Sequence, residues 1–234
     1  DENSNSSVTY GTFIPPTQTK DDLTNYVTSH SIQLTNLDGC TNYYYQVTSC
    51  DIYGNCTTED NGGLYYTFTT PGSRTENFVS TDVPKAIPDN TTITSTLNIP
   101  LNRTIQKVTV TIGNITHTFD GDLDIYLIAP DGTRVELSTD NGSSGDNYID
   151  TVFDDDAAIS IEAGTAPFTG TYRPEGSLSA LIGKNAQGIW TLEVTDDATG
   201  DQGTLNSWSL QITYAYSCGA DLEYQSSAYT DTCN

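Results

Sequence analysis

The sequence contains no methionine, two tryptophans, two histidines and eight basic residues among 234. Each scarcity excludes something. Clustered lysine and arginine are what neutralise phosphate backbones, so a chain with 31 acidic residues and a net charge of −23 is not built for nucleic acid. Two histidines far apart do not make a tetrahedral zinc site. No apolar run approaches the ~20 residues a membrane-spanning helix needs. No signal peptide is visible, and with Met absent and Asp first the expectation is a mature or excised piece of a longer product.

Catalytic patterns are equally scarce. A Ser-His-Asp site needs a base in reach of its nucleophile, and only His30 and His117 could serve. There is no G-x-S-x-G elbow; the "GSSG" at 142–145 has other spacing and reads as a loop. Paired carboxylates can hydrolyse glycosides, but in a chain this rich in Asp such pairs arise unaided. The chain is therefore expected to be non-catalytic, with any catalytic domain outside it.

What is present reads as β-structure. Short strand-like segments alternate with Gly, Asp, Asn and Pro turns, the pattern of β-sandwiches. The expected organisation is one module over 1–70, a linker over 71–79, a second module over 80–214 and a tail over 215–234. In the first module Tyr43, Tyr45 and Val47 alternate onto one face. In the second, strands are expected at 93–99, 105–112, 123–129, 134–138, 158–161, 188–195 and 207–213. Their alternating apolar sets are Val108, Val110, Ile112; Leu123, Ile125, Leu127; Trp190, Leu192, Val194; and Trp208, Leu210, Ile212. Period-two company assigns both tryptophans to the core rather than to ligand stacking.

Five cysteines are present. Cys50 and Cys56 bracket "DIYGN" and face each other across a hairpin, close enough for a bridge. Cys218 and Cys233 are the second expected pair, which leaves Cys40 for a partner elsewhere. N-x-S/T sequons occur at Asn5, Asn55, Asn90, Asn102, Asn114 and Asn141. With the cysteines they predict an extracellular or cell-surface chain able to carry N-linked glycans.

Three acidic clusters stand out in the second module: Asp120, Asp122 and Asp124; Asp154, Asp155 and Asp156; Asp196, Asp197 and Asp201. The first begins like an EF-hand, but Ile125 occupies the sixth position, where that loop needs glycine. Adjacent carboxylates repel, and Ca²⁺ draws six to eight oxygens from such loops. Calcium is the expected cofactor, with solvated surface acid as the alternative.

Two family resemblances carry the rest. L-x-x-L-x-x-x-T-x-Y-x-Y-x-V over Leu34–Val47, followed by D-x-x-G-N over Asp51–Asn55, resembles the later half of a fibronectin type III-like domain. The first strands of such a domain are missing, so the sandwich is either cut or completed by another segment or chain. The segment "THTFDGDLDIYLIAPDGTRVEL", then "TVFDDDA", then G-x-W-x-L-x-V-x-D and G-x-L-x-x-W-x-L, resembles the P-domain of secreted subtilisin-like proteases. That resemblance implies a jelly-roll β-sandwich, a non-catalytic accessory to an enzyme on the same polypeptide, and calcium binding in bacterial and archaeal members. It favours Asp122, Asp154, Asp155, Asp196 and Asp197 as ligands. A reading of another class is a structural subunit of a filament, sheath or surface layer, in which an incomplete sheet recruits strands from identical subunits.

Overall fold

The computed structural model describes residues 3–218 and is all-β, with fifteen strands and three short 3-10 turns. Two compact units divide it: residues 1–73 with 216–234, and residues 74–215.

The first unit is a single sheet ordered β2 (Gln18–Val27), β1 (Ser4–Gly11), β3 (Asn42–Cys50), β4 (Cys56–Glu59). β5 (Tyr66–Thr69) also pairs with β3, alongside its first half. Cross-strand register places Tyr10, Tyr45 and Tyr66 in one row and Tyr43 with Phe68 in the next. Tyr43 stacks on Phe68 with ring centroids 5.4 Å apart, and Tyr45 meets Tyr66 at the same distance. Much of the tyrosine richness is thus cross-strand packing. Tyr43, 4% exposed, is the one buried aromatic side chain of this unit among the described residues. Among the described residues this unit holds that one sheet and no second.

Residues 72–79, expected as a linker, form strand β6 (Gly72–Val79) at the edge of the second unit's larger sheet. The reason is physical. An edge strand needs only backbone pairing, so the polar run "GSRTENF" carries no apolar alternation to betray it. Its side chains add Thr75 Oγ1 to Thr213 Oγ1 at 2.8 Å and the Tyr214 hydroxyl donating to Glu76 at 2.5 Å.

The second unit is a sandwich of two sheets. One is ordered β11 (Arg134–Thr139), β10 (Leu123–Ile128), β14 (Gly188–Asp196), β8 (Thr92–Ile99). The other runs β13 (Phe168–Tyr172), β12 (Tyr148–Phe153), β9 (Ile105–Thr116), β15 (Gly203–Tyr216), β6, with β7 (Lys85–Ile87) also on β15. All four alternating sets from β9, β10, β14 and β15 are buried in one core. Both tryptophans lie in it. Their indole N–H groups are satisfied by the Ala186 carbonyl at 2.9 Å and by Ser95 Oγ at 2.8 Å. The strand expected at 158–161 is instead a single bridge, Ser160 to Arg173, followed by a 3-10 turn at Ile161–Ala163.

Cys50 and Cys56 are joined, directly opposed on β3 and β4. The second pairing is corrected. Cys218 is bonded to Cys40, with Cα atoms 5.3 Å apart, not to Cys233, which lies outside the described residues. Sequence proximity favoured the tail partner. The fold instead returns the chain just past β15 to the first unit, 178 residues from Cys40.

Candidate functional site

Three chain segments meet at one corner of the second unit: the end of β9, the start of β10 and the end of β14. Antiparallel pairing sets Leu123 opposite Asp196, and the Asp197 amide donates to the Asp122 carbonyl at 3.0 Å. A 3-10 turn, Asp120–Asp122, leads into β10. Gly121 is required there, because a Cβ would stand 2.9 Å from the Ser143 Cα.

His117 organises the corner. Its Nε2 lies 3.0 Å from Asp196 Oδ2, with both side chains fully buried, and its Nδ1 lies 2.9 Å from the Phe119 carbonyl. Both ring nitrogens are therefore engaged with oxygens, and neither is left to activate a nucleophile. Asn147 completes the frame: its side chain accepts from the His117 amide at 3.0 Å, and its amide donates to Asp120 Oδ1 at 2.9 Å. The other oxygens, Asp120 Oδ2 and Asp196 Oδ1, are buried without a hydrogen-bond partner among the described residues. Such orphaned acceptors are costly and are among the features that mark an ion site.

The electrostatics agree. Burial pushes the Asp120 carboxyl up to about 7, opposed by the Asn147 amide and His117. Asp122 is raised by burial and then by Asp196, Asp201 and Asp197. Asp124 is raised by burial and then by Asp197, Asp140 and Glu136. Asp201 accepts from the Thr118 hydroxyl at 2.6 Å. The corner thus assembles two of the three acidic clusters, Asp120, Asp122 and Asp124 with Asp196, Asp197 and Asp201. It adds Asp140 and Asp146, which sequence reading missed; their signal was the Gly- and Asn-rich run "DNGSSGDN".

The Asp154–Asp156 cluster is not part of it. Lys107 pairs with Asp154 at 2.9 Å and with Asp156 at 2.6 Å. Asp155 accepts from the Ser177 hydroxyl and from the Leu178 and Ser179 amides, capping the 3-10 turn Leu178–Leu181. Lys107 and Thr116 lie toward opposite ends of β9, about 30 Å apart at ~3.3 Å per residue. A single ion cannot bridge the two clusters, so the ligand set that joined Asp154 and Asp155 to Asp122 and Asp196 is corrected.

The corner passes one test for calcium and not another. Its donors are hard oxygens from carboxylates and loop carbonyls, which Ca²⁺ prefers. Yet no three His, Cys, Asp or Glu groups converge on one point among the described residues. Beside the corner lies a cleft of about 500 Å³ lined by Thr116, His117, Asp146, Asn147 and Gln202.

The sequons differ in access. Asn55, Asn90 and Asn102 are exposed, Asn114 and Asn141 are half-buried, and Asn5 is 9% exposed within β1. The Asn141 amide donates to Glu175 at 2.6 Å, which a glycan would disrupt. No helix among the described residues is long and apolar enough to cross a membrane.

Residues 105–212 match the family model of the proprotein convertase P-domain. Among curated relatives, leupeptin-inactivating enzyme 1 of Streptomyces exfoliatus is 32% identical over 60% of this chain and 26% of its own length. A calcium-dependent protease of Nostoc is 32% identical over 54% of this chain and 17% of its own length. The chain thus spans about a quarter or less of these relatives. Among solved structures, a serine protease of Aeromonas sobria in complex with its chaperone aligns at 22% identity with a TM-score of 0.44, covering 74% of this chain and 37% of that one.

Proposed function

We propose that this chain, whose residues 105–212 carry a proprotein convertase P-domain, is a calcium-stabilised, non-catalytic accessory region of an extracellular enzyme. The carrying observation is the family match, set beside relatives named as enzymes of which this chain matches only 26% and 17%. In this reading the P-domain stabilises or targets a catalytic domain on the same polypeptide, a subtilisin-like protease. Supporting the calcium part are the orphaned oxygens of Asp120 and Asp196, the acids that raise one another around Asp122 and a relative named a calcium-dependent protease. Asp120, Asp122, Asp196 and Asp197 would hold the ion, no more than two of them directly, with loop carbonyls and water completing the shell. The ion would supply charge neutralisation at a crowded corner and no chemistry of its own.

The filament reading draws no support from the first unit's free edge. β2 carries Lys20, Asp21 and Asp22 there, charges of the kind that blunt edge-to-edge pairing.

The experiment is a deletion in the complete polypeptide. Removal of residues 74–215 is expected to shorten the enzyme's half-life at elevated temperature several-fold while leaving initial peptidase activity measurable. An unchanged half-life and unchanged secretion would contradict the accessory role.

A further inference from the structure

The sequence holds two Asn-Gly steps, Asn61-Gly62 and Asn141-Gly142, and the fold treats them oppositely. We propose that Asn61 is a site of spontaneous deamidation and isoaspartate formation in the native protein, while Asn141 is protected. Asparagine is among the chemically labile residues, and a following glycine offers an unhindered backbone nitrogen.

The reaction is internal. The Gly62 nitrogen attacks the Asn61 Cγ, the Cγ–Nδ2 bond breaks, and ammonia leaves with the proton lost from Gly62. The resulting succinimide takes up one water. Opening at one carbonyl gives aspartate; opening at the other gives isoaspartate, with the backbone running through Cβ. No oxidant or cofactor is needed.

Three features expose Asn61. It lies with Gly62 and Gly63 in the solvent-exposed turn between β4 and β5. A Cβ added at Gly62 or Gly63 would meet nothing within 4 Å, so the turn has room to rearrange. Finally, the leaving amide is held weakly: Asn61 Nδ2 reaches only the Tyr65 carbonyl, at 3.4 Å. The Gly62 amide makes no hydrogen bond among the described residues, whereas the next one, Gly63, donates to Asp60 Oδ1 at 2.9 Å. The nucleophile is thus uncommitted. Asn61 and Gly62 both take left-handed φ values, 58° and 67°, a conformation Asn adopts more readily than most residues and one typical of a short turn.

Asn141 differs in exposure, in the hold on its side-chain amide and in the room around the following glycine. It is half-buried, and its Nδ2 donates to Glu175 Oε1 at 2.6 Å and to Ser138 Oγ at 3.0 Å. Gly142 is wedged in, since a Cβ there would lie 2.8 Å from the Phe168 ring and 2.9 Å from the Asp120 Cβ. The side chain cannot swing toward the Gly142 nitrogen without breaking both bonds.

Conversion would matter locally. The Asn61 carbonyl accepts from Leu64 and its side chain reaches Tyr65, the residue before β5, whose Tyr66 and Phe68 complete the aromatic rows of the first unit. A new carboxylate beside Asp60, or a lengthened backbone, would loosen that strand.

The test is incubation of the native chain at mildly alkaline pH, digestion at acidic pH, and mass spectrometry of the two Asn-Gly peptides, with isoaspartate located by fragmentation. Asn61 is expected to convert about tenfold faster than Asn141, the ratio that ~1.4 kcal/mol of barrier produces. In denaturant the two rates should converge. Asn61→Gln should abolish the modification in the first unit and leave Asn141 unchanged. Equal native rates, or an unmodified Asn61 in the native chain while both sites react in denaturant, would overturn the proposal.

Discussion

Replacing Trp190 by alanine is expected to lower the melting temperature of the second unit by roughly 10 °C. The indole is fully buried on β14, between β10 and β8. Truncating a buried tryptophan to alanine costs about 3–5 kcal/mol, and each kcal/mol moves the midpoint of a domain this size by ~2–4 °C. Trp190→Phe separates packing from hydrogen bonding. It retains most of the apolar volume but leaves the Ala186 carbonyl without its donor, at about 1–3 kcal/mol. Near-ultraviolet circular dichroism during a melt reads both variants. A tryptophan kept for ligand stacking would instead leave the alanine variant melting with wild type.

Asp120→Asn is expected to stabilise the chain above neutral pH when divalent cations are removed. The sign follows from linkage. The Asp120 carboxyl rises from 3.8 to about 7 on folding, so between those values the native state binds more protons than the unfolded state. Stability then falls as pH rises through that window and stays low above it. Roughly three pH units at ~1.36 kcal/mol each set the ceiling, and solvent screening leaves a smaller penalty. An amide escapes it, although its own N–H groups need acceptors, so the net gain will be smaller. The variant should therefore melt above wild type at pH 8 in EGTA and lose that advantage near pH 4. With calcium present the order should reverse, because the carboxylate is then a ligand. A variant less stable than wild type at every pH, with or without calcium, would exclude Asp120 as a strained carboxylate that calcium relieves.

Much of the sandwich was legible because alternation is a local signal. Leu123, Ile125 and Leu127, or Trp208, Leu210 and Ile212, declare a strand and its inward face within six residues. What escaped was encoded at a distance or not in hydrophobicity at all. β6 is polar because edge pairing asks nothing of its side chains. Cys40 found Cys218 across 178 residues, which no spacing rule anticipates. The acidic corner was half readable. Asp120, Asp122 and Asp124 looked anomalous on a strand, and Asp196 and Asp197 lay in a turn-like loop. Their meeting depends on the Leu123 to Asp196 register. The Asp154–Asp156 run has the same composition yet serves Lys107 and a helical cap. Composition alone cannot separate an ion site from an ion pair; the partners that the fold supplies do.

A thermal melt of this chain in calcium and in EGTA decides whether the acidic corner of the second unit holds a stabilising calcium ion. A ligand bound only to the native state adds RT ln(1 + [L]/Kd), about 2.7 kcal/mol at one hundred times Kd. The melting temperature is expected to be several degrees higher in calcium, with the rise reversed by EGTA and diminished in Asp120→Asn. Identical melting curves in calcium and in EGTA would contradict it.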